Sequence, residues 1–491
     1  MYSSINKKID YVSLLDLEST LKNLLKDYAL VLDSRLVTAK SIFCAYKGTL
    51  NDGRNFISKA IANGAKYIIT EGDIGNNLPI EHYAVDNLIQ YIGLLASYKY
   101  DNPSSKFKVI GVTGTNGKTS VTHWINQIYT LLGSKSAIIG TTGAGLYPDI
   151  KDYAATTPDP ITLQKLLFEF SQEKVDIVAM ETSSHALEQG RVNGVQFETA
   201  IFTNLTQDHL DYHLTLENYY AAKRSLFYWH DLKNIIINID DVYGKRLYKE
   251  LENSKTRIIT YGINAGDLQA KKVKVGLSGT DFVLAYDNME YTLKVPVVGR
   301  FNIYNLLAVI AALIVDNIAI IEIVKYVQII KPVCGRMDAI FNQESPLVIV
   351  DYAHTPDALE NVLNTLREVE HKGSIYCVFG CGGDRDALKR PLMGKVAALG
   401  ANQVFITTDN PRNEDPLLII EQIIAGIPSN ITNYLVEADR SLAIEKAIKL
   451  AQPNDIVLIA GKGHELYQDS KGVKHYFSDF EVAKKALVAR S

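Results

Sequence analysis

The chain has 491 residues, with 51 Lys and Arg against 55 Asp and Glu and a formal net charge of -4. That length exceeds one ordinary domain and suggests about three, and the charge balance offers no basic field to gather a nucleic-acid backbone, so no nucleic-acid partner is expected. Four cysteines exclude a disulfide framework, and Cys377 and Cys381 have no second Cys or His pair to complete a zinc site, so all four are read as reduced thiols.

Along the chain, the opening MYSSINKKIDYVSLL has no apolar stretch followed by a small-residue cleavage site, unlike a secretory signal. A first domain boundary is expected at DNPSSK, residues 101–106. Strands are then expected at Lys108 to Val112, Val175 to Met180, Thr199 to Thr203 and Asn234 to Asn238. The apolar run Leu306 to Val315 is closed by Asp316 and Asn317. It falls short of the ~18 residues that span a bilayer and reads as a buried helix. A second boundary is expected at KPVCGR, residues 331–336, followed by strands at Leu347 to Val350, Ile375 to Phe379, Gln403 to Thr407 and Ile456 to Ala460. Helical stretches lie between these runs and no internal repeat appears, the pattern of parallel α/β domains. A soluble, cytoplasmic protein without membrane contact is expected.

Each strand runs into a polar or glycine-rich cluster: TGTNGKTS, ETSSH, NLTQDHLDYH, NIDD, DYAHTPDAL, GCGGDRD, TDNPR and GKGHE, in chain order. Ligands of open α/β sheets bind beyond the carboxyl ends of strands, so these clusters predict a composite site. In the first of them, Gly111, Gly114 and Gly117 precede Lys118 and Thr119, and a helix follows with Val121, Trp124, Ile125, Ile128 and Leu132 on one face and Gly133 as its stop. Glycines let backbone N–H groups approach phosphate, the lysine reaches the β/γ-phosphates, and the hydroxyl suits Mg²⁺. A strict G-x-x-x-x-G-K-[ST] loop needs glycine at 112, where this chain has Val112, so the loop is a variant.

TGTNGKTS has the form found in the Mur ligases of peptidoglycan synthesis and their folylpolyglutamate synthetase relatives. The resemblance continues through ETSSH, NLTQDHLDYH, YYAAKRSLF, GRFNIYN, CGRMD, DYAHTPDAL and GKGHE, over nearly the whole chain. It implies a three-domain α/β architecture: residues 1–100 binding the UDP-substrate, 101–332 a phosphate-loop, parallel-sheet ATPase domain, and 333–491 a Rossmann-like domain for the amino acid. It also implies an ATP- and Mg²⁺-dependent ligase, expected to be a monomer, that forms an amide through an acyl phosphate.

Carried over by resemblance, Gly114, Thr115, Asn116, Gly117, Lys118, Thr119 and Ser120 hold ATP, with Asn302 near the adenine and Arg336 and Asp351 at the phosphates. Thr119, Glu181, His209 and Lys223 form the metal site, with Lys223 matching the lysine that this family carbamoylates. Leu32, Ser34, Thr49, Leu50 and Asn51 match the uridine-side loops. Ala155, Thr156, Thr157, Ser183, Gln189 and Arg191 match the groups around the diphosphate and sugar-peptide, with Ala155 standing where Asn is common. His209 and His354 are candidates for proton transfer.

Asp409, Asn410, Pro411 and Arg412 read plainly as an Asx-Pro turn before a helix. In the branch of the family that adds the third amino acid, DNPR implies meso-diaminopimelate rather than L-lysine. The chemistry agrees, because a guanidinium clasps the distal carboxylate of diaminopimelate and repels the terminal ammonium of lysine. Arg385, Gly461 and Glu465 would complete this pocket. The rivals are an L-lysine-adding or folylpolyglutamate synthetase-like ligase and, in another class, a phosphate-loop nucleotide switch that ligates nothing. The chain lacks the N-K-x-D guanine signature.

Overall fold

The computed structural model describes residues 21, 23–48, 51–72, 78–151, 153, 155–276, 279–340, 345–369 and 373–490. Two compact units emerge, one of Met1–Gly111, Gly133–Ala200 and Ser225–Lys233, the other of Val112–Leu132, Ile201–Arg224 and Asn234–Ser491.

In the first unit, Ala29–Val31, Ser41–Ala45, Tyr67–Glu71 and His82–Val85 pair in chain order as a parallel sheet. Side chains of a strand alternate between faces. Ile42, Cys44 and Ile69 join the core around Ile92 and Leu95, while Phe43, Ala45 and Ile68 join another around Ile57 and Ala60. Both faces are therefore covered, which is why Ser41–Ala45 is apolar almost without interruption. Further along the unit, Ile177–Glu181 lies parallel to Ser136–Gly140, which continues antiparallel into Gly143–Leu146 and Asp149–Lys151.

The second unit carries Asn234–Asn238, Arg257–Gly262 and Leu268–Gly276 in parallel, then Gly279–Tyr286 and Met289–Val295 as an antiparallel meander. Helix Arg300–Val315 packs against the three parallel strands and against helix Lys118–Leu131. It contains the expected apolar run and is buried almost throughout; among the described residues no helix is long and apolar enough to cross a membrane.

A six-stranded sheet of this unit has the order Asp338–Ile340, Leu347–Asp351, Ile456–Ala460, Ile375–Phe379, Gln403–Ile406, Tyr434–Val436, parallel except for its first strand. The last-made of these strands, Ile456–Ala460, thus sits in the middle. Apolar clusters cover both faces, so parallel register brings Asp351, Gly380, Thr407 and Gly461 to one edge. All eight expected strands are present, some shifted at their ends, as with Ile177–Glu181 for the expected Val175 to Met180.

Candidate active site

Strand Lys108–Thr113 ends in the glycine loop, and helix Lys118–Leu131 begins directly after it. Gly117 caps the helix at φ +88, a conformation that side chains rarely adopt, and a Cβ there would lie 2.2 Å from Asn305 Oδ1. The loop is anchored by Thr115 Oγ1, which donates to Thr206 O at 3.2 Å and accepts from Thr206 N at 3.0 Å. Asn116 N donates to Asn204 Oδ1 at 2.9 Å, and Asn116 Nδ2 to Asp357 Oδ2 at 2.9 Å.

Two lysines converge on this loop. Lys118 Nζ donates to Gly114 O and Thr115 O at 3.0 and 2.9 Å, and Lys223 Nζ donates to Gly114 O at 2.7 Å. Lys223 is buried, with its amine 4.4 Å from the centre of the Tyr219 ring. Burial first, and then Lys118, push its pKa well below that of an ordinary lysine, with Asp208 pulling the other way. Thr119 Oγ1 accepts from Arg336 Nη2 at 3.0 Å, and that guanidinium stacks 4.3 Å above Tyr352. Asp351 accepts from Met337 N and Ala353 N at 2.7 Å each, while burial raises its pKa.

Beside the loop opens a cavity of about 400 Å³, lined by Asn116, Ser120, Phe301, Asn305, Arg336 and Tyr352 among others. That volume lies in the range of small-ligand sites. Asn302 stands behind the lining, with Nδ2 on Val298 O at 2.9 Å and Oδ1 on Asn305 Nδ2 at 3.2 Å.

His209 adopts φ +54 and places Nε2 3.4 Å from Asp208 Oδ2. Burial opposes the charge of Asp208, but His209, Lys389 and His354 overcome it and hold the carboxyl well below the usual range. His354 Nδ1 lies 2.8 Å from Tyr352 O, and burial, followed by Lys389, lowers its pKa to about 4.

The same unit assembles the DNPR cluster. Asn410 Nδ2 donates to Glu465 Oε2 at 2.9 Å, and the buried Lys462 Nζ bridges Asn410 Oδ1 and Glu465 Oε2 at 3.1 and 3.0 Å. Arg412, at φ +50, donates from Nη1 to Gly383 O at 2.6 Å, and its backbone pairs with Asp469 and Lys471. The Arg412 and Arg385 side chains flank the bare face of Gly382, where a Cβ would lie 2.9 Å from Arg412 Nη1 and 3.7 Å from Arg385 Cγ. Pro411 and Asp409 are buried, and Asp409 Oδ2 faces Gly461, 2.6 Å from where a Cβ would stand.

The first unit gathers a separate polar cluster. Thr157 Oγ1 donates to Glu181 O at 2.8 Å and lies 3.4 Å from Ser183 Oγ; Arg191 reaches Thr157 O at 3.1 Å and Gln189 Oε1 through Nε at 2.8 Å. Thr141, which the sequence did not single out, donates from N to Glu181 Oε1 at 2.8 Å and lies 3.1 Å from Thr156 Oγ1. Ala155 has no side-chain polar atom to add. Leu32 and Ser34 follow Ala29–Val31, and Asn51 lies beyond its parallel neighbour Ser41–Ala45, at the same sheet edge. Thr49 and Leu50 lie outside the described residues. Asn305, Asp208, Lys389 and Lys462 were also missed. Lys462 lies inside GKGHE and was open to reading; Asn305 sits one turn after Asn302.

A glycine loop beside a nucleotide-sized cavity, met by Arg336 from just before a second, largely parallel sheet, defines a nucleotide-dependent α/β enzyme. Residues 112–313 match the Mur ligase middle domain and residues 335–463 the Mur ligase glutamate ligase domain. The chain belongs to the Mur ligase family. It is 45% identical over 462 residues, 93% of each chain, to a UDP-N-acetylmuramoyl-L-alanyl-D-glutamate--2,6-diaminopimelate ligase of Chromobacterium violaceum. A protein of the same name from Bacillus cereus is 40% identical, again covering 93% of each chain. A solved structure under that name is 36% identical with TM-score 0.68, covering 94% of this chain and 95% of its own. The Thermotoga maritima MurF ligase solved with ADP shares the fold at 18% identity and TM-score 0.65, covering 96% of this chain and 100% of its own.

Proposed function

We propose that this protein is an ATP-dependent ligase that joins meso-2,6-diaminopimelate to the D-glutamate γ-carboxylate of UDP-N-acetylmuramoyl-L-alanyl-D-glutamate, in cytoplasmic peptidoglycan precursor synthesis. The observation that carries this reading is Arg336. Its contact with Thr119, at 3.0 Å, joins the sheet bearing the DNPR cluster to the phosphate loop, as transfer from nucleotide to a second substrate requires. The arginine pair around Gly382 favours diaminopimelate over lysine.

In this proposal residues 1–100 bind the UDP moiety, 101–332 bind ATP and 333–491 bind the amino acid, in a monomer. Lys118 and the loop amides hold the β/γ-phosphates, and Arg336 follows the transferring charge. The γ-carboxylate oxygen attacks the γ-phosphorus and ADP leaves. The diaminopimelate amine then attacks the acyl carbon, and phosphate leaves with the C–O electron pair while the amine gives up a proton. Arg385, Arg412, Asn410 and Glu465 orient the amine. Thr119, Glu181, His209 and carbamoylated Lys223 would hold Mg²⁺, as the family resemblance implies, and the oxygens of Thr119 and Glu181 are the hard donors that this ion prefers. Bound there, Mg²⁺ supplies neutralising charge for the phosphates. The depressed basicity of Lys223 supports its reaction with CO₂, which needs the neutral amine.

Phosphate release with the UDP-dipeptide and either meso-diaminopimelate or L-lysine tests the assignment. Turnover with diaminopimelate alone is expected, and equal turnover or preference for lysine overturns the amino-acid reading. For the carbamate, K223A is expected to lose activity and recover part of it with added small carboxylates; an undiminished rate overturns that role.

A further inference from the structure

Lys389 is a buried cation that the fold does not satisfy. Its side chain is 8% exposed, and the nearest opposite charge, Asp208 Oδ1, is 3.8 Å away, beyond hydrogen-bond distance. Among the described residues Lys389 Nζ makes no hydrogen bond, although an ammonium has three donors. Its neighbour Arg390 shows what a structural cation does here. That guanidinium is also buried, but donates to both Glu414 oxygens at 2.8 Å, to Gln422 Oε1 at 2.7 Å and to Gly382 O at 3.0 Å.

Local structure opposes the charge further. Lys389 is the first residue of helix Lys389–Gly400, at the end whose dipole disfavours cations. The next anion along, Asp386, spends Oδ1 on Leu388 N at 2.9 Å and leaves Oδ2 buried without a partner rather than turning it to Lys389. A buried ammonium held this loosely is costly in a protein that does not use it.

Its surroundings indicate the use. Asp208 lies two residues beyond Thr206, which brackets Thr115 Oγ1 of the phosphate loop from both its N–H and its carbonyl. Lys389 is close enough to His354 and Asp208 to act on the charge of both, and Asp208 in turn acts on that of Lys223. Lys118, Lys223, Asp208 and Lys389 thus form a chain of charges from the phosphate loop to the edge of the amino-acid sheet.

We propose that Lys389 is a further catalytic residue, whose ammonium leaves Asp208 to bind the phosphoryl oxygens of the acyl phosphate as it forms and breaks down. This rests on the ligase reading above. In the first step an oxygen of the carboxylate forms a bond to the γ-phosphorus as the bond to the β-phosphate oxygen breaks with its electrons going to ADP. The acyl phosphate so formed carries negative charge where Lys389 supplies a positive one. In the second, the amine nitrogen bonds to the acyl carbon, phosphate departs with the C–O pair, and the surplus proton leaves the amine. Lys389 exchanges no proton in either step.

The test compares wild type, K389A, K389Q and K389R in full-length protein, measuring kcat and each KM and trapping acyl phosphate by borohydride reduction without diaminopimelate. The wild type should make the UDP-tripeptide; if it does not, the ligase reading fails before Lys389 is in question. K389A and K389Q are expected to lose at least 100-fold in kcat and most of the trapped product, with KM for ATP and for diaminopimelate within about threefold. K389R should recover at least tenfold over K389A. A kcat within threefold of wild type in either neutral variant overturns the proposal. So does a loss confined to KM for diaminopimelate, which would make Lys389 an amino-acid contact, or an arginine variant no better than alanine. If K389A does not fold, judged by its melting curve, K389Q and K389R decide alone.

Discussion

Gly382→Ala should weaken diaminopimelate binding without unfolding the protein. The new methyl would stand 2.9 Å from Arg412 Nη1 and 3.7 Å from Arg385 Cγ. The nearer atom is the free end of a flexible side chain, so the arginine gives way and the backbone keeps its place. Arg412 is already held on the other side by Gly383 O, at 2.6 Å, so moving away from the methyl tilts its fork. Losing one of the two charge-assisted bonds to the distal carboxylate costs about 1.5–3 kcal/mol. That corresponds to about 10- to 150-fold in affinity. Steady-state phosphate release across a diaminopimelate series measures it, with KM for ATP expected within twofold of wild type and the melting temperature nearly unchanged. An unaltered KM for diaminopimelate would refute the placement of Arg412 as the distal clamp.

Gly117→Ala should abolish nucleotide binding, because its Cβ would meet Asn305 Oδ1 at 2.2 Å from a backbone at φ +88; calorimetric titration with ATP at wild-type affinity would contradict this. Asp479→Ala strands Arg440, which is fully buried and donates to both Asp479 oxygens at 2.7 Å. A loss of about 3–5 kcal/mol in urea unfolding is expected, and one below about 1 kcal/mol would contradict it. Stability should also fall in acid. His123 and His354 have pKa values lowered from 6.5 to about 4, so between these values the unfolded chain binds more protons. The stabilisation is full above about pH 6.5 and is lost as pH drops toward 4, to the extent of about 3 kcal/mol for each imidazole. His354→Gln should flatten this slope in urea titrations at pH 7.5 and 5; an identical slope argues against a buried neutral His354.

The eight strands read from the sequence were legible because they are largely buried on both faces and so read as apolar runs, as in Asn234–Asn238, Ile375–Phe379 and Ile456–Ala460. Met289–Val295 escaped notice for the opposite reason, since four of its seven residues are polar or charged and much of it is exposed. The site divides in the same way. Arg412, Glu465 and the loop from Gly114 to Ser120 sit in motifs whose spacing carries chemistry. Asp208 and Lys389 are 181 positions apart, and nothing local to either announces the other. Thr141 likewise matters only because folding brings Ser136–Gly140 beside Ile177–Glu181.

The order of strands in the carboxyl-terminal sheet has a consequence for biosynthesis. Ile456–Ala460 is made after every other strand of its sheet, yet it separates Leu347–Asp351 from Ile375–Phe379. During synthesis the phosphate-loop residues are therefore made long before Gly461, Lys462 and Glu465. Until then the sheet lacks its central strand, and the residues proposed to hold the amine are not yet made.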